Sequence, residues 1–303
     1  MVAYLFAGQG SQYIGMGKDL FESFPQSKAI FEKADAVSGF SLSGLCFEGP
    51  REELTKTKNC QPAILAVTIA ALEAFKSVMG RRPSPDFVAG LSLGEYSALV
   101  AAEAITFEDA VYVVRQRGQF MEEEALQRPG KMLSVVGLDL AKVRDLCVKT
   151  NTEVANINCP GQVVISGGVQ EIEKAQGMAK EMGAKMALPL EVSGAFHSTF
   201  MKGASLKLAQ VLSRIKILPP KIPVVSNMTA KPSCTPEEIK ENLVGQVSSS
   251  VLWEESMRFI LSRQVNSFFE FGPGKVLKGL MRRIEPGARV VSIEKKEDIA
   301  GLP

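Results

Sequence analysis

Ser92 and His197 are the two residues in this sequence whose types and settings point most directly to chemistry. Ser92 lies in Gly90-Leu91-Ser92-Leu93-Gly94, the G-x-S-x-G pattern of a nucleophile elbow. The apolar run over 86–89 precedes it and a helix-like run over 95–102 follows it, so the strand–turn–helix context is present. Such a turn holds the hydroxyl out at the end of a sheet, and a backbone N–H near the helix start can meet an oxyanion. A serine hydroxyl is a weak nucleophile without a base. The chain has one histidine in 303 residues, His197, which follows a strand-like segment over 186–192. A glycine-rich turn with an incidental serine shows the same three letters, by chance in about one chain in ten of this length. Small residues at Ala98, Ala101 and Ala102 favour the elbow, because they let the following helix pack closely on a sheet.

Other residues carry weaker signals. Gly8-Gln9-Gly10-Ser11-Gln12 follows the first strand and is either a plain glycine turn or a second source of oxyanion donors. Arg117 lies 25 residues beyond Ser92 and is either a surface arginine or a bidentate site for a carboxylate. Gln246, in Val244-Gly245-Gln246-Val247, says nothing as a sequence feature. Lys275, Lys278, Arg282 and Arg283 line one helix face, either as a solvated surface or for an acidic partner.

Alternating elements must position these groups. Residues 2–6 read as a buried strand. A helix over 62–79 has Pro62 in its first turn and a long apolar face, and the composition of residues 80–85 marks a loop. A helix over 107–125 ends before Pro129-Gly130. Then come strands at 132–138, 154–157, 162–166 and 185–190 and helices at 141–149 and 169–182. That β-α-β-β-α-β order is the ferredoxin-like signature. It predicts a small domain over 130–189, inserted in a larger α/β domain made of 1–129 and 190–303. After His197 two helices are expected before a strand at 224–226, and a further strand covers 267–271. Gly272-Pro273-Gly274 ends it and opens a helix from Lys275.

Composition bounds the possibilities. Hydrophobic residues make up 46% and charged residues 22%, an ordinary globular balance. A net charge of +2 gives no bulk attraction for nucleic acid. The five cysteines, Cys46, Cys60, Cys147, Cys159 and Cys234, show neither paired disulfide nor zinc spacing, which fits a reduced, cytoplasmic setting. The start lacks the basic region of a signal peptide. No apolar run approaches about 18 residues, so no membrane span is expected.

Seven motifs occur in one order: Gly8-Gln9-Gly10-Ser11-Gln12, Gln61-Pro62-Ala63, 90–96 around Ser92, Arg117-Gly118, 158–167 from Asn158, Gly194-Ala195-Phe196-His197-Ser198, and Glu270-Phe271-Gly272-Pro273-Gly274. The set resembles the malonyl-CoA:acyl-carrier-protein transacylase family, including the acyltransferases of polyketide synthases, from Leu5 to about Arg283. The resemblance implies a hydrolase-like α/β domain with a parallel sheet and an inserted ferredoxin-like domain, with the site between them. It implies that Ser92 takes the acyl group as an ester and that His197 is general base and then general acid. The His197 ring would be oriented by the backbone carbonyl of Gln246. The N–H groups of Gln9 and Leu93 would form the oxyanion hole, and Arg117 would pair with the malonyl carboxylate. Gln61, Leu91, Met121 and Phe196 are the expected substrate pocket. The implied partners are malonyl-CoA and an acyl carrier protein, in a ping-pong transfer by a monomer. No metal or cofactor is implied, the CoA thioester being a substrate.

One position departs from the family pattern. Histidine usually precedes the nucleophile, where this chain has Leu91. Leucine donates no hydrogen bond, so a polar contact to the acyl head is lost, whereas bulky Phe196 would crowd an α-methyl branch and favour malonyl. Leu91 inclines the reading towards polyketide rather than fatty-acid synthesis, by an enzyme acting in trans. Two alternatives are a hydrolase clearing stalled carrier proteins, which gains little from Arg117, and an inactive docking module, which has no use for Ser92 and His197. The run Glu294-Lys295-Lys296-Glu297-Asp298 reads as a charged tail or the start of a linker.

Overall fold

The computed structural model describes residues 1–80 and 83–302, so Arg81 and Arg82 of the expected loop lie outside the described residues. Among the described residues ten strands run in chain order: β1 (Val2–Phe6), β2 (Phe87–Gly90), β3 (Gly130–Val136), β4 (Glu153–Cys159), β5 (Gln162–Gly168), β6 (Met186–Pro189), β7 (Val224–Val225), β8 (Pro232–Ser233), β9 (Ser267–Phe271) and β10 (Arg289–Ile293). They form two sheets. The larger has the order β10-β9-β1-β2-β7-β8. All its pairings are parallel except β7 with β8. The smaller, β4-β5-β3-β6, is antiparallel throughout.

Burial on both faces explains the apolar run of β1. Tyr4 and Phe6 join the core beneath the helix Thr57–Met79. Ala3 and Leu5 join the opposite core with Trp253, Met257, Leu277 and Met281. The alternation is the period of two that a strand imposes. The smaller sheet packs Leu133, Val135, Val163 and Ile165 against Val143, Leu146, Ile172 and Ala175 of the helices Leu140–Thr150 and Val169–Glu181. The protein is thus a hydrolase-like α/β body carrying an inserted ferredoxin-like unit, as the motif order implies.

Several expectations are corrected. The helix expected from Pro62 begins at Thr57, so Pro62 lies inside it rather than in its first turn. A proline there costs one N–H, whose partner would be the Lys58 carbonyl four residues back. That helix is also long and apolar enough to cross a membrane, where no such segment was expected, but 72% of the qualifying stretch is buried inside the protein. Only one α-helix, Lys202–Ser213, separates His197 from β7, after a short 3-10 turn at Thr199–Met201. The charged run at 294–298 is no tail. It follows β10 and leads into the helix Lys296–Ala300, which buries Ile299.

Candidate active site

The site forms beyond the carboxyl ends of β1, β2 and β9, where open parallel sheets gather their functional loops. Ser92 sits at the end of β2 with φ 53°, in the left-handed region that a serine seldom occupies. Two close approaches force the flanking residues to be glycine. A β-carbon on Gly90 would lie 1.9 Å from the Gly94 carbonyl, and one on Gly94 would lie 2.2 Å from the Phe6 carbonyl oxygen. Asn227, just after β7, pins the turn: its Oδ1 accepts from Ser92 N at 2.6 Å and its Nδ2 donates to the Gly90 carbonyl at 2.7 Å.

Ser92 Oγ lies 2.8 Å from His197 Nε2, and His197 Nδ1 lies 2.8 Å from the Gln246 carbonyl oxygen. A carbonyl accepts only, so Nδ1 carries the proton and Nε2 is left as the acceptor towards serine. The loop that carries His197 is tied down by Ser166, whose Oγ donates to the Phe196 carbonyl at 2.6 Å. Burial, and then the Arg117 guanidinium, push the imidazole from 6.5 down to about 4, against the opposing pull of the Gln246 carbonyl. The ring is therefore neutral at pH 7, and a hydroxyl bonded to a neutral, oriented imidazole is an activated nucleophile.

Arg117 projects from the helix Phe107–Gln127 and is 1% exposed. It donates to Gln61 Oε1 at 2.8 Å, to Ser92 Oγ at 3.0 Å and to Gln246 Oε1 at 3.0 Å. Its Nε has no partner among the described residues. Burial lowers its pKa, yet a guanidinium stays charged at any ordinary pH. No carboxylate is paired with it in a salt bridge among the described residues. Glu95, whose charge acts on Arg117, meets Gln246 instead, and burial pushes its carboxyl from 4.5 up to about 7.

A cavity of about 180 Å³ opens onto Ser92 and His197. Gln9, Leu91, Met121 and Phe196 are on its wall, with Asn156 and Asn158 from β4 opposite. Leu93, next to the serine, immediately precedes the helix Gly94–Ala101. The Gln9 loop reaches the elbow: a β-carbon on Gly8 would lie 2.5 Å from the Leu91 carbonyl oxygen. Gln61 is the one expected pocket residue off the wall. It is fully buried behind Arg117 and donates to Met121 Sδ at 3.5 Å. The expected basic face is exposed, and Arg283 on it bonds Gln162 Oε1 at 2.7 Å and the Pro160 carbonyl at 3.0 Å.

Sequence reasoning missed Asn227, Glu95 and Asn158 as parts of the site. Asn158 Oδ1 is buried on the cavity side with no partner among the described residues. Glu95 and Asn158 lie inside quoted motifs, where only their letters were read. For Asn227 the available signal was a polar residue just past the end of a buried strand.

Known proteins resemble this chain over nearly its whole length. The family described as acyl transferase domain matches residues 3–291. The malonyl CoA-acyl carrier protein transacylase of Bacillus subtilis (strain 168) is 47% identical, over 98% of this chain and 95% of its own. The acyl-carrier-protein-S-malonyltransferase of Bartonella henselae superposes with a TM-score of 0.95 at 38% identity, over 99% of this chain and 97% of that one. A malonyl-transacylase solved in complex with a type II PKS acyl-carrier protein superposes with a TM-score of 0.94 at 38% identity, over 99% and 97% of the two chains. With matched residues spanning nearly its whole length, the chain belongs to the acyl transferase domain family.

Proposed function

We propose that this enzyme moves a malonyl group from malonyl-CoA to the phosphopantetheine thiol of an acyl carrier protein, through an ester on Ser92. The observation that carries the reading is the convergence on one hydroxyl: Ser92 Oγ lies 2.8 Å from a neutral imidazole and 3.0 Å from a buried guanidinium.

In the first half-reaction Ser92 Oγ attacks the thioester carbonyl carbon as its proton passes to His197 Nε2. The carbonyl oxygen takes the negative charge, facing the N–H groups of Gln9 and Leu93. Collapse breaks the C–S bond, and the imidazolium gives its proton to the departing sulfur, releasing free CoA. In the second half the carrier's thiol gives its proton to His197 and its sulfur attacks the ester carbon. The C–O bond breaks and the proton returns to Ser92 Oγ. Thioester and ester are close in energy, so the protein need only lower the two barriers and keep water away from the ester. The malonyl carboxylate takes over guanidinium donors of Arg117, including the otherwise unpartnered Nε. Acetyl offers nothing there and leaves Arg117 as it stands in the free enzyme, so it lacks the stabilisation that the carboxylate brings.

The cytoplasm is the proposed setting, and polyketide synthesis the proposed pathway. Leu91 and the structural neighbour bound to a type II PKS acyl-carrier protein support the pathway. Transfer rates to carrier proteins of both pathways test it.

Intact-mass measurement tests the whole reading. Malonyl-CoA is expected to add one malonyl mass, and Ser92→Ala to abolish the adduct. Arg117→Ala is expected to lower malonyl loading at least tenfold while sparing acetyl loading. Equal loading of the unmodified protein by acetyl-CoA, or equal losses in Arg117→Ala, sinks the carboxylate role. Turnover that needs no carrier acceptor makes the protein a hydrolase.

A further inference from the structure

Gln246 serves the site through its backbone and its side chain at once. Its carbonyl holds His197 and its amide oxygen accepts from Arg117. An amide has two ends of similar shape, and the wrong end towards Arg117 would set N–H against N–H. Something must decide which end faces the guanidinium. Gln246 Nε2 donates to Glu95 Oε2 at 2.8 Å and to the Ser92 carbonyl at 3.1 Å. Both partners accept: the Ser92 carbonyl has no proton to give, and two N–H donors face Oε2, which leaves Oε1 as the oxygen that takes a proton. The same Oε2 accepts from Asn227 N at 3.0 Å, and the Asn227 side chain holds the elbow. Glu95 is 3% exposed and makes no salt bridge among the described residues, so pairing with a surface cation does not account for it.

We infer that Glu95 is a positioning residue for recognition of the substrate carboxylate: it fixes the Gln246 amide with its oxygen towards Arg117 and so holds the guanidinium beside Ser92. The inference rests on Arg117 being the malonyl-binding residue. It assigns Glu95 a role through hydrogen bonding at one oxygen rather than as a counter-charge. The two possibilities predict opposite outcomes for two small substitutions. In Glu95→Gln an amide oxygen can occupy the place of Oε2 and accept from both Asn227 N and Gln246 Nε2, while the charge is gone. In Glu95→Asp the charge stays, but the carboxylate is withdrawn by one methylene and no longer reaches Gln246.

The test is the ratio of malonyl to acetyl loading rates on the intact protein, with kcat and KM separated. Glu95→Gln is expected to keep the ratio within about threefold of the unmodified enzyme. Glu95→Asp is expected to lose about tenfold in the ratio, mostly as a higher KM for malonyl-CoA. Gln246→Leu, which keeps the backbone carbonyl, is expected to match that loss. The double variant Glu95→Asp with Gln246→Leu should lose no more than Gln246→Leu alone, since both act through one amide. A better ratio in Asp than in Gln would overturn the inference in favour of charge. Additive losses, or equal falls in malonyl and acetyl loading, would also overturn it. Arg117→Ala serves as the separating control. If it shifts the ratio and the Glu95 variants do not, only the Glu95 role fails; if it does not, the carboxylate reading itself fails.

Discussion

His197 can act as a base at neutral pH because the fold keeps it uncharged. Burial is the larger cause and Arg117 the second, and together they hold the imidazole near 4. Acetyl-pantetheine carries neither a carboxylate nor a phosphate, so the acid limb of its loading rate reports the enzyme alone. That limb is expected near pH 4 rather than near the ordinary 6.5, and Arg117→Ala is expected to move it upward by removing a like charge. A limb centred near 6.5 that Glu95→Gln leaves in place would mean that the ring titrates as an exposed one. The sign for stability follows from the same shift. The folded value lies below the unfolded one, so between 6.5 and about 4 the unfolded chain binds the proton that the site refuses. Stability from this group is lost as the pH falls through that window, so rates at the acid end need brief pH jumps from neutral stock. Ser92 and His197 were legible in the sequence because one is framed by glycines and the other is unique. Glu95 and Asn227 were not, since their partners lie more than 130 positions away and only folding brings them together.

Arg117 reaches the serine because two helices meet without a side chain between them. Gly118 faces the start of Thr57–Met79, where a β-carbon would lie 2.6 Å from the Thr57 carbonyl oxygen and 2.8 Å from the Lys58 α-carbon. Both obstacles are backbone, so neither can swing aside. Gly118→Ala adds about 1 kcal/mol of helix propensity. Forcing the helices apart costs about 1–3 kcal/mol. Displacement also separates Arg117 from Gln61 on the facing helix. The variant is expected to unfold at lower urea and to lose malonyl over acetyl selectivity. An unchanged midpoint and selectivity would mean that the contact yields without moving Arg117. The same pair of helices marks a limit of sequence reading. The apolar face of Thr57–Met79 was plain, but its start was misplaced because Pro62 suggested a first turn. The proline is accommodated further in here, in a stretch buried without interruption over 60–72. The four helices between Lys18 and Thr55 left no reading: three have only five to seven residues, too few for a periodic pattern, and the fourth, Pro25–Ser38, runs for 14.

At the scale of the molecule, the run at 294–298 ties the end of the described chain to the site. Composition suggested a tail because five charged residues stand together, yet the Glu294 and Asp298 carboxylates are used internally, while Lys295, Lys296 and Glu297 are exposed. Glu294 is 8% exposed and its Oε1 accepts from Gly274 N at 2.9 Å. Gly274 leads into the helix Val276–Ile284, whose Val276 is on the cavity wall. Lys296 N donates to Asp19 Oδ2 at 2.8 Å, fastening the segment to the helix Lys18–Ser23. Ile299 is buried in the main core. Losing that side chain alone costs about 1.5–3 kcal/mol. The two hydrogen bonds add about 0.5–1.5 kcal/mol each. Ending the chain after Ile293 is therefore expected to lower stability by about 2.5–6 kcal/mol and to loosen the turn before Val276. Urea unfolding of the shortened protein measures the first effect, and the lifetime of its malonyl-enzyme in water the second. A linker would be removed with no change in either. A shorter ester lifetime, with loading by malonyl-CoA still intact, would place this segment among the elements that keep water from the ester.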